Sequence, residues 1–200
     1  LFVRALCIAS AASANTRLCL HDALPISDSS FVLLGSLEAP TGAIRYWVNL
    51  IRISNTGEIM WRKAIEAYHN FIPSAIGYKN NEIHISGTTQ SSEFYTQVFY
   101  AKLDLDANLL AFDTRQAEHM DEIQSIGFID DWTMLAGNSY WDDQAVPLII
   151  GIDPGGNMRY FFYVETEESG YITDVVETEK GLAACGHYVT GEAFVFQIEN

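Results

Sequence analysis

The chain has 200 residues, of which 48% are hydrophobic and 18% charged, a composition typical of a globular protein. With 26 acidic and 11 basic side chains its formal net charge is −15, and because such a surface repels phosphate backbones we expect no nucleic-acid partner. No stretch reaches the roughly 18 consecutive apolar residues that a membrane span requires, so the sequence predicts no transmembrane segment.

The first 27 residues differ from the patterned body that follows them. Their end, LHDALPIS, matches over Leu20–Ile26 the translation of a widely used sequencing adapter. We therefore interpret residues 1–27 as a non-native leader. The alternative of a native first strand is disfavoured by Pro25, because proline cannot donate a backbone hydrogen bond inside a sheet. A second alternative is a secretory signal cleaved after the Ala-Ser-Ala of residues 12–14, which would indicate export.

The body carries an internal repeat of about fifty residues, the length of one unit in several repeat architectures. Short turns of small residues recur at Gly35, Gly87, Gly137 and Gly186, which lie 52, 50 and 49 positions apart. Polar hairpin turns flanked by apolar residues keep the same register along the chain. Each unit is therefore predicted to contain four short strands separated by turn-forming residues.

The predicted third strand of each unit indicates how the units pack. A strand that is apolar on both faces must be covered on both faces, which small antiparallel sheets stacked around an axis achieve. The aligned apolar positions are Ile53, Leu103, Ile152 and Ile198 on one face and Leu50, Tyr100, Ile149 and Val195 on the other.

We therefore predict an all-β fold, a β-propeller fragment of about three and a half four-stranded antiparallel blades in an open arc. The alternative is a β-sandwich with evenly spaced strands. We expect the parent protein to contain further blades. The predicted blades span residues 28–70, 71–120, 121–170 and 171–200.

Two hairpin turns carry a family resemblance. The sequences KLDLDANLLAF and GIDPGGNMRYF resemble the turn between the third and fourth strands of bacterial extracytoplasmic β-propeller repeats. The resemblance extends over residues 31–200 and implies the propeller fold and a protein that is periplasmic, attached to the cell surface or secreted. The stretch NTGEIMW also resembles the docking motif of quinoprotein dehydrogenase propellers, but Ala111 and Tyr160 replace Trp61 in the next two units.

The strand order places the loops on two faces of the predicted propeller. Loops between second and third strands, and the crossovers between blades, emerge on one side, the loop face; the short hairpin turns emerge on the other, the hairpin face. The loop face mixes aromatic rings with carboxylates, which suits a glycan or peptide ligand. The alternative is that the rings merely cover blade edges. The predicted ligand-binding residues are Tyr46, Trp47, Tyr95, Tyr140, Trp141, Asp142 and Asp143.

A metal site is a further hypothesis on the loop face. His69 and His119 lie one unit apart, and Glu168 lies at the matching place in the next crossover. These residue types ligate metals, but equivalent positions on successive blades are usually too far apart to share one ion at about 2 Å. The sequence identifies no cofactor. His84 and His187 lie in or beside second strands, and we interpret them as packed or hydrogen-bonded core residues.

The function predicted from these features is recognition without catalysis. We expect a scaffold module of an exported or surface protein that binds a glycan, a peptide or a protein partner on its loop face. The alternative is a catalytic propeller, either a glycoside-active enzyme using acidic loops such as Asp142 and Asp143, or a quinoprotein-like dehydrogenase. The Ser-x-Asp-x-Gly-x-Thr-Trp turn expected of sialidase-like propellers is absent from the sequence.

Overall fold

The computed structural model describes residues 18–26, 28–38, 46–65, 70–92, 95–116, 120–142, 144–164, 166 and 168–199. Every regular element in these ranges is a β strand. None of this part of the chain forms a helix long and apolar enough to cross a membrane. The strands are β1 (Leu18–Pro25), β2 (Phe31–Glu38), β3 (Tyr46–Ile53), β4 (Ile59–Ile65), β5 (Asn70–Lys79), β6 (Glu82–Ser92), β7 (Tyr95–Leu103), β8 (Leu109–Gln116), β9 (Met120–Ile129), β10 (Trp132–Trp141), β11 (Gln144–Ile152), β12 (Met158–Tyr163), β13 (Gly170–Thr178), β14 (Gly181–Tyr188) and β15 (Ala193–Glu199).

These strands form four antiparallel sheets. Strands β1 to β4, β5 to β8 and β9 to β12 make three four-stranded sheets, and β13 to β15 make a three-stranded sheet. Within each sheet the strands pair in chain order, as a meander. The predicted all-β propeller architecture is confirmed, because the described strands amount to three complete blades and three strands of a fourth, in an open arc.

The first sheet begins earlier in the chain than the predicted first blade. Residues 18–25, part of the predicted leader, form β1 and pair with β2 as far as Pro25↔Phe31. Pro25 is the last residue of the strand, where the loss of one backbone donor is tolerated. The structure places this segment in the position of a first strand, and the origin of residues 1–27 stays a prediction.

The glycines that mark the repeat lie where the second strand approaches the first most closely. In all four sheets the pairing register of these two strands shifts near this point. A Cβ atom on Gly87 would overlap the carbonyl oxygen of Ile72, and one on Gly137 would overlap that of Glu122. Only glycine fits such an approach of two backbones, so the repeat period in the sequence follows from a bulge that each blade repeats.

The apolar core lies between neighbouring sheets. Leu50 and Leu103 belong to the cluster between the first and second blades. Ile150 packs between the second and third blades, while its neighbour Ile149 packs between the third and fourth. A third strand therefore does contribute to the core on both of its faces. Val195 differs, being 73% exposed, because no described sheet covers that face of the last blade.

Candidate functional site

Parts of the loop face lie outside the residues that the structure describes. Of the predicted site residues, His69, His119 and Asp143 lie outside them, and Tyr95 is described only as the first residue of β7. The predicted residues whose side chains are described lie in the first and third blades and in the crossover from the third blade to the fourth.

Tyr46 and Trp47 open strand β3, and both are half-buried. The backbone N–H of Tyr46 donates to Oδ1 of Asn70, the first residue of β5, over 3.2 Å. This bond joins the loop-face ends of the first and second blades. The two aromatic residues lie two blades away from Trp141, so they belong to a different part of the loop face.

Trp141 ends strand β10 at the loop face and is held on two sides. Its half-buried indole packs edge-on against Tyr163 of β12, with ring centroids 4.9 Å apart. Its Nε1 donates to Oγ of Ser139 over 2.8 Å. The Ser139 hydroxyl in turn donates to Oδ1 of Asp121 over 2.6 Å, and both of these residues are buried. The indole is therefore fixed in orientation by a hydrogen-bond chain that ends on a buried carboxylate.

Tyr140 precedes Trp141 and presents its hydroxyl to a carboxylate on the neighbouring strand. Its OH donates to Oε2 of Glu122 in β9 over 3.1 Å. Burial raises the pKa of Tyr140 to about 12, and the negative charge of Glu122 acts in the same direction. The phenol is therefore protonated at neutral pH and serves Glu122 as a donor.

Asp142 follows Trp141 at the tip of the turn between β10 and β11. It is exposed and has a φ of 45°, in the left-handed region that aspartate adopts more readily than most residues. Trp141 pairs with Gln144 across this turn, so the strands remain hydrogen-bonded up to the tip. The residue that follows the oriented indole therefore carries a solvent-exposed carboxylate.

Glu168, the described member of the predicted metal set, makes contacts of its own. Its side chain is exposed and Oε2 accepts a hydrogen bond from Oγ1 of Thr190 over 3.2 Å. Among the described side chains, no group of three or more His, Cys, Asp or Glu residues is placed to hold a metal ion. With His69 and His119 outside the described ranges, the metal site stays a prediction.

A cavity on the hairpin face was missed by the sequence reasoning. It lies between the second and third blades, has a volume of about 250 Å³, and is lined by His84, Tyr100 and Thr133 together with charged residues. The prediction that His84 is a hydrogen-bonded core residue is confirmed, because it is 5% exposed and its Nδ1 lies 2.7 Å from the Tyr100 hydroxyl. The sequence did contain a signal for this cavity. His84 and Tyr100 of the second blade stand at positions where the first blade has the apolar residues Val32 and Leu50.

Burial sets the protonation states in this cavity. It lowers the pKa of His84 to about 4, with smaller contributions in the same direction from the positive charges of Lys102 and Lys79. Burial also raises the pKa of Tyr100 to about 12. At neutral pH the imidazole is therefore neutral and the phenol keeps its proton.

Comparisons with known proteins give a likeness of structure alone. No protein-family model and no curated protein matches the sequence. Among solved structures, the subtype N10 neuraminidase-like protein of A/little yellow-shouldered bat/Guatemala/060/2010 is similar over 89% of this chain and 64% of that chain, with a TM-score of 0.53 and 14% identity. The subtype N11 neuraminidase-like protein of A/flat-faced bat/Peru/033/2010 (H18N11) is similar over 84% and 56%, with a TM-score of 0.47 and 12% identity.

The fold and the first of these likenesses define the chain as a β-propeller module. The chain spans 64% of the length of the N10 neuraminidase-like protein. An identity of 14% carries the fold and nothing about activity.

Proposed function

We propose that this β-propeller is a recognition module without catalytic activity, which binds a glycan on its loop face. The proposed contact is the Trp141 surface, defined as the side chains of Trp141 and Asp142; Tyr140 and its partner Glu122 lie on the other face of the sheet, because side chains alternate along β10. Asp143, which the sequence analysis added to this group, lies outside the described residues.

The observation that carries the proposal is the fixed orientation of a partly exposed indole. Trp141 is hydrogen-bonded through Ser139 to the buried Asp121 and packed against Tyr163. A ring held in this way loses little conformational freedom when a ligand stacks on it, so more of the contact free energy appears as affinity.

The chemistry of the Trp141 surface favours a glycan over a peptide. An indole covers the apolar C–H face of a sugar ring, while the exposed carboxylate of Asp142, the next residue, accepts hydrogen bonds from its hydroxyls. Peptides are commonly bound by addition to a free strand edge or in a groove. Here the strand ends beside the indole are paired with each other, at Trp141↔Gln144. The net charge of −15 further favours a neutral glycan over an anionic one.

The direct test is an array of neutral soluble oligosaccharides probed with the full chain and with two tryptophan variants. Trp141→Ala removes the proposed stacking ring, whereas Trp132→Ala removes an indole from the opposite, hairpin-face end of the same strand. We expect Trp141→Ala to weaken binding more than about tenfold, because aromatic anchors dominate interfaces of this kind. Trp132→Ala should bind as the wild type does, with circular dichroism confirming the fold of both variants.

Two further measurements separate the alternatives. A parallel array of peptides would favour a peptide partner if binding there, and not to oligosaccharides, depended on Trp141. Hydrolysis of chromogenic glycosides that Asp142→Asn abolished would overturn the absence of catalysis.

A further inference from the structure

The cavity between the second and third blades is lined by side chains of both blades, which are far apart in sequence. His84 and Tyr100 come from β6 and β7 of the second blade, and Thr133 comes from β10 of the third. Oγ1 of Thr133 lies 3.1 Å from Nδ1 of His84. The remaining lining residues are Lys79, Asn80, Glu82, Lys102, Phe128, Asp131, Asp153 and Pro154.

One nitrogen of His84 has no hydrogen-bond partner. Its side chain is 6% exposed, and Nδ1 is taken by the hydroxyls of Tyr100 and Thr133. Nε2 is buried without a partner, and the nearest carboxylate oxygen, Oε2 of Glu82, is 3.9 Å away, beyond hydrogen-bond distance. We assign the proton of the neutral ring to Nε2, because the carboxylate of Glu82 lies 3.9 Å from that nitrogen and Nδ1 can then accept from the hydroxyl of Tyr100 or Thr133. A buried N–H that lacks an acceptor is costly, and native structures rarely leave one.

The corresponding place between the first and second blades is filled by protein. There Arg52, 6% exposed, aligns with Lys102. Its Nε donates to Oγ of Ser30 over 3.0 Å, and its Nη2 pairs with Asp28 at 2.7 Å. In the second blade Lys102 has no guanidinium to fill this place, and His84, which stands where the first blade has Val32, adds a ring nitrogen without a partner. Among the described residues, this place is therefore filled by side chains at the first boundary and open at the second.

Of the five charged residues of the lining, four are in ion pairs and the fifth, Asp131, is exposed to solvent. Lys102 lies 3.3 Å from Glu82 and Lys79 lies 3.3 Å from Glu177 of β13. Asp153 accepts from Nε of Arg159 over 2.7 Å. These pairs leave a neutral donor, the Nε2–H of His84, as the group in need of an acceptor. A hydroxyl suits this position because it can accept from Nε2–H and donate to Glu82 at the same time.

We propose that this cavity binds a neutral polyhydroxylated molecule of monosaccharide size, with one hydroxyl between Nε2 of His84 and the carboxylate of Glu82. Its volume of about 250 Å³ is below the roughly 300–1,000 Å³ of sites for drug-sized ligands, which sets the size of the occupant. Phe128 and Tyr100 supply apolar surface for the ring of the ligand. Contact with Nε2 requires the Glu82 side chain, which is 32% exposed, to turn outward.

The test is saturation-transfer NMR on the full chain with a panel of probes at millimolar concentration. Neutral probes are glucose, galactose, mannose, N-acetylglucosamine and myo-inositol; charged analogues are glucuronate, an anion, and glucosamine, a cation. We expect at least one neutral probe to bind and to shift the ¹⁵N signal of His84 Nε2. Its binding should weaken about tenfold in His84→Val, because one hydrogen bond is lost. Valine is chosen because it is the residue of the first blade at this position.

Glu82→Ala, a change at a partly exposed side chain, provides a second variant if His84→Val fails to fold, and should weaken binding similarly. Trp141→Ala should leave this binding unchanged, which separates the cavity from the Trp141 surface. Three results would overturn the proposal: no binding by any neutral probe, tighter binding of a charged analogue, or binding that survives both His84→Val and Glu82→Ala.

Discussion

The guanidinium of Arg52, in the third strand of the first blade, donates from Nη1 to the carbonyl oxygen of Leu105, in the turn after the third strand of the second blade, over 2.9 Å. Nε1 of Trp61 donates to the same oxygen over 3.0 Å. One blade later Nζ of Lys102 donates to the carbonyl oxygen of Pro154 over 3.1 Å. Since Lys102 aligns with Arg52, a cation on the third strand holds the turn of the following blade at the first two boundaries.

Substitution of Arg52 should therefore weaken the packing of the first blade against the second. We expect Arg52→Met to lower the free energy of unfolding by about 1–3 kcal/mol, because the buried hydroxyl of Ser30 loses its donor and the Leu105 carbonyl loses one of two side-chain donors. Arg52→Lys should lose less, because a lysine at the aligned position of the second blade still reaches the next turn. Urea unfolding of the three proteins measures the difference, and equal losses in both variants would contradict this role of the cation.

The close approach at the repeat glycines makes a second prediction. In Gly137→Ala the new methyl would overlap the carbonyl oxygen of Glu122, which belongs to the backbone and cannot turn away. We expect a loss of about 1–3 kcal/mol or more in the free energy of unfolding. Gly151→Ala is the matched control, a buried glycine of the same sheet whose added methyl would meet its nearest atom, in the Tyr160 ring, at 3.5 Å. A Gly137→Ala protein as stable as Gly151→Ala would show that the bulge can relax.

The propeller arc could be predicted because blade packing requires particular residue types at regular intervals in the sequence. A glycine is required wherever the second strand meets the bulge of the first, as at Gly87 and Gly137. An apolar third strand is required wherever two blades cover it, as at Ile149 and Ile150. Both requirements recur once per blade, so both appear as a period. Whether residues 18–25 belong to the native first blade could not be derived in this way, because a period is recognised across several blades and not from a single strand.

The candidate sites were predictable only where a single short stretch builds them. Tyr140, Trp141 and Asp142 are consecutive, so their residue types alone indicated a surface for ligands. The cavity at His84 joins side chains from two blades, and nothing local in the sequence places Thr133 beside His84. The support of Trp141 by Asp121 was hidden for the same reason, since the two residues are linked through Ser139 and strand pairing.

The buried imidazole of His84 makes stability depend on pH in a defined window. Its pKa falls from 6.5 in the unfolded chain to about 4 in the folded protein. Between pH 4 and pH 6.5 His84 is therefore protonated in the unfolded chain and neutral in the folded protein. The stabilisation is fully present above pH 6.5 and is lost as the pH falls towards 4. At about 1.4 kcal/mol per pKa unit the loss approaches about 3 kcal/mol.

This pH effect is measured as the difference between wild-type and His84→Val unfolding curves. Burial also lowers the pKa of His21, but that residue is present in both proteins and cancels. The lowered pKa values of Asp28 and Asp153 act at lower pH, because their stabilisation is present above the ordinary aspartate pKa and is lost as the pH falls through the folded value. If the free energies of unfolding of the two proteins changed equally with pH between pH 4 and 6.5, this would contradict a buried neutral His84.

The hydroxyl of Ser139 links stability to the orientation of Trp141. Ser139→Ala removes the donor to the buried Asp121 and the acceptor of the Trp141 indole together, so we expect a loss of about 1–3 kcal/mol in the free energy of unfolding. The indole should also become mobile, which ¹⁹F NMR of 5-fluorotryptophan-labelled protein would register as a shift and broadening of the Trp141 signal alone. Ser86→Ala is the matched control, since it removes another buried hydroxyl, bonded to the carbonyl of Phe99 over 2.6 Å in a different blade. Ser86→Ala should lower the free energy of unfolding without shifting the Trp141 signal. Because the proposed glycan contact requires an anchored ring, Ser139→Ala alone of the two should also weaken oligosaccharide binding.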